Sequence, residues 1–258
     1  MLDWRGRPLV EVTINGRGPY RFILDTGASG TVIGMDLREE LGLPAVAGVS
    51  AVTPSGVPAT RVQVEQMRMG KVVLKNSFVA AMDLSGVLRG ADAPRGVLSA
   101  ASFSGHLLIF DYPGRRIQVR KGQLGPADGR RVFEYTAADL LPTVPLRVAG
   151  REIPAHIDSG ASAALTLPSR YKDELPLRDK PVEAGRARTV SGETAVYAAG
   201  VAGAIVLGEY ELEIPQVRFA DIRAALIPGK SERANIGYEV LRRFVVTMDS
   251  LNRRIRFD

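Results

Sequence analysis

Phe22-Ile23-Leu24-Asp25-Thr26-Gly27-Ala28-Ser29 and Ala155-His156-Ile157-Asp158-Ser159-Gly160-Ala161-Ser162 are two versions of one phrase: an apolar run closed by Asp, a hydroxyl residue, Gly, Ala and Ser. Their aspartates stand 133 residues apart in a chain of 258, about half its length. One chain thus carries two carboxylates in near-identical local settings. An acid/base pair built by gene duplication would leave that pattern, and the rest of the chain tests it.

The duplication extends on both sides. Residues 10–14 alternate apolar and polar like a half-buried strand, Asn15-Gly16 is a hairpin signal, and residues 20–24 return into Asp25. In the second half Leu146-Arg147-Val148 alternates, Ala149-Gly150 turns, and residues 153–157 return into Asp158. Asp36-Leu37-Arg38-Glu39 reads as a capping box, with Asp36 as the cap of a short helix ending near Gly42. Residues 169–174 open a matching helix, stopped near Pro176. Two small-residue turns, Thr53-Pro54-Ser55-Gly56 and Val190-Ser191-Gly192-Glu193, read as hairpin tips. Each half closes on a hairpin, residues 107–111 with 115–119 and residues 244–249 with 253–257. Asp111 and Asp249 in these hairpins are 138 residues apart, close to the spacing of the acidic motifs. The expectation is an all-β fold of two similar lobes related by a pseudo-two-fold, with a few short helices. The first lobe spans residues 1–120, a linker 121–130 and the second lobe 131–258.

Composition narrows the function. The apolar fraction is 45% and the charged fraction 24%, ordinary for a globular protein with a sizeable core. There is no cysteine, which excludes disulfides, thiolate metal sites and a cysteine nucleophile. The formal charge is +6, but the basic residues are dispersed in pairs such as Arg115-Arg116, Arg130-Arg131 and Arg253-Arg254. With few aromatics (6%), this reads as solvated surface, not as a nucleic-acid site. No apolar stretch approaches the ~20 residues of a membrane span, and no signal peptide is read at Met1. His106 lies in a Ser-Gly-His turn without a metal partner at ligand spacing.

Asp25-Thr26-Gly27-Ala28-Ser29 resembles the catalytic loop of aspartic proteases. Asn235-Ile236-Gly237 is similar to the apolar-then-glycine motif that supports that loop. The Asn-Gly hairpin leading through Gly18-Pro19-Tyr20 into the aspartate resembles bacterial retropepsin-like proteins. The likeness covers nearly the whole chain. It implies two β-barrel lobes with the site in the cleft between them, a peptide or protein substrate, no cofactor and no metal. It also implies a periplasmic or secreted location, whose targeting segment this chain does not show. Both motifs lie in one chain, so a monomer suffices. Two features depart from the family pattern: Ser99 stands where Gly237 stands in the second half, and the first tip lacks the tyrosine that pepsins place there. The alternative reading is a catalytically inactive peptide-binding or regulatory protein of the same fold.

Asp25 and Asp158 are the expected dyad. Two close carboxylates do not both ionise cheaply, so they hold one proton and titrate as a pair. Gly27 and Gly160 permit tight loops whose N–H groups approach the carboxylates. The resemblance assigns the hydroxyls of Thr26 and Ser159 to cross-linking the loops. Ser29 and Ser162 are expected to donate to the outer carboxylate oxygens. Ile23 and His156, two residues before each aspartate, share its side of the strand and are expected to line a substrate pocket. Ser55, Gly56, Ser191 and Gly192 are expected to cover the cleft and pair with substrate backbone. Ala28 and Ala161 stand where pepsins often have another hydroxyl, and fewer donors predict an optimum in mild acid. A pH–rate profile checks this, and a maximum well below about pH 4, the ordinary aspartate value, would contradict it.

Overall fold

The computed structural model describes residues 2–52, 58–135, 141–189, 192–221 and 233–258. The first half contributes β1 (Leu2–Asp3), β2 (Pro8–Ile14), β3 (Arg17–Asp25), β4 (Val32–Gly34), α1 (Met35–Leu41), β5 (Ala45–Val52), β6 (Pro58–Met69), β7 (Val72–Met82), β8 (Gly96–Ser99), a 3₁₀ turn (Ala100–Phe103), β9 (Leu107–Asp111) and β10 (Arg116–Arg120). The second contributes β11 (Val132–Glu134), β12 (Thr143–Val148), β13 (Arg151–Ile157), β14 (Leu165–Leu167), α2 (Tyr171–Glu174), β15 (Val182–Thr189), β16 (Gly192–Ala199), β17 (Ile205–Leu207), β18 (Tyr210–Glu211), β19 (Val217–Phe219), β20 (Ala234–Ile236), α3 (Tyr238–Leu241), β21 (Val245–Asp249) and β22 (Arg254–Phe257).

Both aspartates arrive on the return strand of a tight hairpin. Asn15 and Gly16 take φ of 48° and 80°, and Ala149 and Gly150 take 49° and 82°. Positive φ at both central residues gives the turn whose twist matches antiparallel strands. The strand order around each aspartate is then the same. In the first half β2-β3-β8-β4-β7-β6 form a closed six-stranded barrel, because β6 returns to pair with β2 at Thr13↔Arg68 and Ile14↔Met67. In the second half β12-β13-β20-β14-β19-β16 follow that order, and β12 pairs with β17 at Arg147↔Val206.

The halves differ in how the two long strands run. β6 and β7 have 12 and 11 residues and pair from Thr60↔Ala81 to Met69↔Val72. Their places in the second half are taken by β16 then β17, and by β18 then β19. The interruptions fall at residues 200–204, which include Gly200 and Gly203 (φ 137°), and at residues 212–216, which include Pro215. Glycine weakens a strand and proline cannot donate to its ladder, so the sequence itself breaks both strands there.

A third sheet, ordered β10-β9-β21-β22-β11, joins the halves. β9 pairs antiparallel with β21 at Phe110↔Val246 and Ile109↔Thr247. The two closing hairpins therefore lie side by side. Asp111 and Asp249 play the same part in them, accepting from Gly114 N (2.8 Å) and Asn252 N (3.1 Å) across the turns. Residues 121–130 form neither helix nor strand. They are fastened to the second closing hairpin by Leu124 N to Asp249 Oδ2 (2.9 Å) and Arg254 Nη1 to Leu124 O (2.9 Å). One apolar core runs through both halves, with Ile14, Phe22, Leu24, Phe110, Phe219 and Phe257 fully buried.

α1 corrects the capping expectation. The helix starts at Met35 with Gly34 as its cap, and Asp36 lies in the first turn, paired with Arg95 at 3.2 Å. A Cβ on Gly34 would lie 2.2 Å from Asp36 Oδ1, so the aspartate packs over the cap residue instead of being it. The helix ends as expected at Gly42, whose φ of 64° suits glycine. No helix among the described residues is long and apolar enough to cross a membrane.

The shared sheet gives one clear stability test. Phe110 is buried in it and stacks on Tyr112 at 5.8 Å. Phe110→Ala is expected to cost about 3–5 kcal/mol in equilibrium denaturation. A loss below ~1 kcal/mol would show that this sheet is not packed as described.

Candidate functional site

The two acidic loops meet through four buried hydrogen bonds that reciprocate. Thr26 Oγ1 donates to Ile157 O at 2.7 Å and accepts from Ser159 N at 2.9 Å. Ser159 Oγ donates to Leu24 O at 2.8 Å and accepts from Thr26 N at 3.0 Å. Each hydroxyl thus satisfies two backbone groups of the opposite loop, groups that would otherwise be buried without partners.

That clamp sets the glycines against the opposing carboxylates. A Cβ on Gly27 would lie 2.6 Å from Asp158 Oδ1, and one on Gly160 would lie 2.5 Å from Asp25 Oδ2. Only glycine allows the two acidic groups this close. Each carboxylate also accepts from its own loop, Gly27 N to Asp25 Oδ1 at 2.6 Å and Gly160 N to Asp158 Oδ1 at 2.9 Å. Burial, then the charge of Asp158 and a hydrogen bond shared with it, push Asp25 up to about 8, while donation from Gly27 and Gly160 pulls the other way. The pair as a unit therefore favours keeping one proton above the ordinary carboxylate range.

The surroundings are unequal. Asn235, in the middle of β20, donates from Nδ2 to Asp158 Oδ2 at 2.9 Å. Registers Ile23↔Val97 and His156↔Asn235 place the apolar Val97 at the matching position of the first half. From the other side comes a hairpin that the sequence reading missed. β1 and β2 are joined through Trp4 to Arg7, with Arg5 and Gly6 at φ 53° and 74°. Gly6 packs against Tyr238 and Ser162, and Arg7 Nε donates to Gly160 O at 2.6 Å. Burial pulls Arg7 below its ordinary range, opposed first by Asp158 and then by Asp25, so a largely buried cation faces both carboxylates. Tyr112, at the end of the shared sheet, stands edge-on to Tyr238 at 5.9 Å; its hydroxyl is pushed up by burial, by Tyr238 and by the two aspartates.

A family model described as aspartyl protease matches residues 10–100 and 144–240, one match for each acidic loop. The chain belongs to the aspartyl protease family. No curated protein matches the chain.

Membership in this family frames the remaining expectations. Among the described residues no hydrogen bond joins Ser29 to Asp25 or Ser162 to Asp158; Ser29 is exposed, and Asn235 supplies the outer donor to Asp158. Ile23 shares the side of Asp25 but is not open to substrate: it is buried in a small cluster with Trp4 and Leu9. His156 is fully buried, its Nδ1 against Pro142 O at 3.0 Å, and lines no accessible pocket. Strand alternation gives the side of a residue, not what covers it. Ser55, Gly56 and Ser191 lie outside the described residues, and Gly192 opens β16 opposite Thr189. Ser99 supports the first loop in its own way. Its hydroxyl donates to Ala28 O at 2.6 Å, where the second half uses Tyr238 N to Ala161 O at 2.8 Å, and it caps the 3₁₀ turn at Ala101 N.

The clamp is open to direct test. Thr26→Val keeps the shape of the side chain and removes the hydroxyl, leaving Ile157 O and Ser159 N buried without it. Each such group costs ~1–3 kcal/mol, so a loss of roughly 2–5 kcal/mol is expected in chemical denaturation. A change within ~0.5 kcal/mol would contradict the clamp.

Proposed function

We propose that this protein is an aspartic endopeptidase that hydrolyses peptide bonds through a water activated by Asp25 and Asp158. The observation that carries the reading is the facing of the two carboxylates across Gly27 and Gly160, and burial together with the facing charge favours one proton held by the pair. In this reading a water sits between the carboxyls. The charged one removes a proton from the water while the protonated one polarises the scissile carbonyl, and the proton then passes to the leaving amine. General acid–base transfer of this kind contributes ~10²–10⁴-fold. Thr26 and Ser159 hold the pair in register, and Gly27 and Gly160 let it close. Both acids come from one chain, so the proposed site needs no second copy. The hydrogen bond from Ser99 Oγ to Ala28 O supports the first acidic loop, which favours the catalytic reading over an inactive peptide-binding or regulatory relative.

A peptide-library digest from acid to neutral pH tests this directly. Wild type is expected to cleave, and Asp25→Asn to lose at least ~10²-fold. Equal cleavage by both, or none by wild type at any pH, would contradict the proposal.

The same variant makes an independent prediction about stability. Below about pH 4 Asp25 is protonated in the folded and the unfolded chain alike. Between its ordinary value of 3.8 and about 8, the unfolded chain ionises it while the fold keeps the proton, so stability falls as pH rises through that window. Asp25→Asn lacks this penalty. Its melting temperature should match wild type near pH 4 and exceed it by at least about 2–4 °C, roughly 1 kcal/mol for a chain of this size, by pH 8. A gap that does not change with pH would show that Asp25 is not proton-bound.

A further inference from the structure

We infer that Asn235 and Arg7 are positioning residues that polarise the pair, fixing the negative charge on Asp158 and leaving the proton on Asp25. The inference rests on the dyad reading above and adds the direction of its asymmetry.

The argument begins with donors. Asp158 receives Gly160 N on Oδ1 and Asn235 Nδ2 on Oδ2, so both of its oxygens accept. An amide N–H bonds a carboxylate more strongly than a neutral acid, and each such donor favours the ionised form. In the first half the strand position matching Asn235 is Val97, which has no donor to offer. Asp25 takes its donation from the backbone of Gly27 and Gly160, whereas Asp158 has a side-chain amide as well, and that difference tips the pair.

Arg7 tips it the same way. Its guanidinium is anchored on the carbonyl of Gly160, within the loop that carries Asp158, and lies 5.4 Å from the centre of the Trp4 ring. Of the two carboxylates, Asp158 acts on it more strongly than Asp25. The same hairpin buries Ile23 under Trp4, so it covers the Asp25 side with apolar surface while bringing the cation to the Asp158 side. Other titratable groups facing the site are Asp3 and Arg5 on the same hairpin, Tyr112 at the end of β9 and Tyr238 at the start of α3. Burial raises both tyrosines, which stay neutral through the working range. Among these groups, Arg7 is the cation anchored on the second acidic loop.

The polarisation assigns roles within the proposed reaction. Asp158 takes the proton from water, and Asp25 delivers its own to the substrate carbonyl. Removing either positioning residue makes the monoanion harder to form, so the acid limb of a bell-shaped pH profile moves to higher pH, while the alkaline limb, across which Asp158 stays charged, moves less.

Carboxyl ¹³C NMR of the intact protein, with aspartates labelled and assigned through the backbone, tests this with or without peptide hydrolysis. In wild type near pH 6, the Asp158 carbon should show the carboxylate shift and the Asp25 carbon the acid shift. Asn235→Val, which copies the first half, and Arg7→Gln, which keeps an N–H donor without the charge, should each raise the lower midpoint of the pair by roughly one pH unit, a tenfold change in proton affinity. Asn235→Ser and Arg7→Met are second variants should the first not fold. Where peptide is cleaved, the acid limb of the profile should shift upward by a similar amount; a purely structural role would lower kcat without moving it. A proton found on Asp158 in wild type, or midpoints unmoved in folded variants of both residues, would overturn the inference. Failure of wild type to cleave would overturn the protease reading alone, because the proton positions remain readable.

Discussion

Two carboxylates repel each other, and burial makes the repulsion worse. Everything in this fold that concerns the candidate site follows from holding Asp25 and Asp158 together against that repulsion. The hydroxyls of Thr26 and Ser159 do so by bonding the backbone of the opposite loop, four buried hydrogen bonds that need both loops to exist. Pulling the loops apart would leave those backbone groups unpaired in a dry interior, at ~1–3 kcal/mol each. The repulsion that remains favours a proton held by the pair, as burial and the facing charge raise Asp25 above the ordinary carboxylate range.

The rest of the architecture makes that clamp reachable. Two barrels of the same strand order each present one acidic loop at the end of a tight hairpin return. The shared sheet, with β9 against β21, fixes the two halves so that the loops face each other. Symmetry brings the acids together, and departures from symmetry tell them apart. Asn235 against Val97, the Arg7 hairpin, and the broken strands of the second half all make the second acidic loop's environment different from the first.

Much of this was legible in the chain. The duplicated Asp-(Thr/Ser)-Gly-Ala-Ser phrase and the Asn15-Gly16 and Ala149-Gly150 turns carry local signals whose geometry is forced by the residues themselves. The repeat implied two similar halves, while the strand order within each came from the structure. What could not be read depends on contacts between distant segments. The pairing of β9 with β21 joins stretches more than a hundred residues apart, and nothing in either hairpin names its neighbour. Ile23 and His156 were placed on the correct side of their strands but are covered, one by Trp4 and one within the second half's sheet. Arg7 gave no signal, because its partner is a backbone carbonyl 153 residues away. Asn235 gave a faint one: a polar residue at the centre of an otherwise apolar strand motif.

The central claim is that the two aspartates form one unit holding a single proton, and neutron diffraction reads it without substrate or mutation. From a crystal grown near pH 6 and exchanged into heavy water, the account predicts one deuteron between the carboxyls, bonded to Asp25. Two bare carboxylates, or two separately protonated acids, would contradict it.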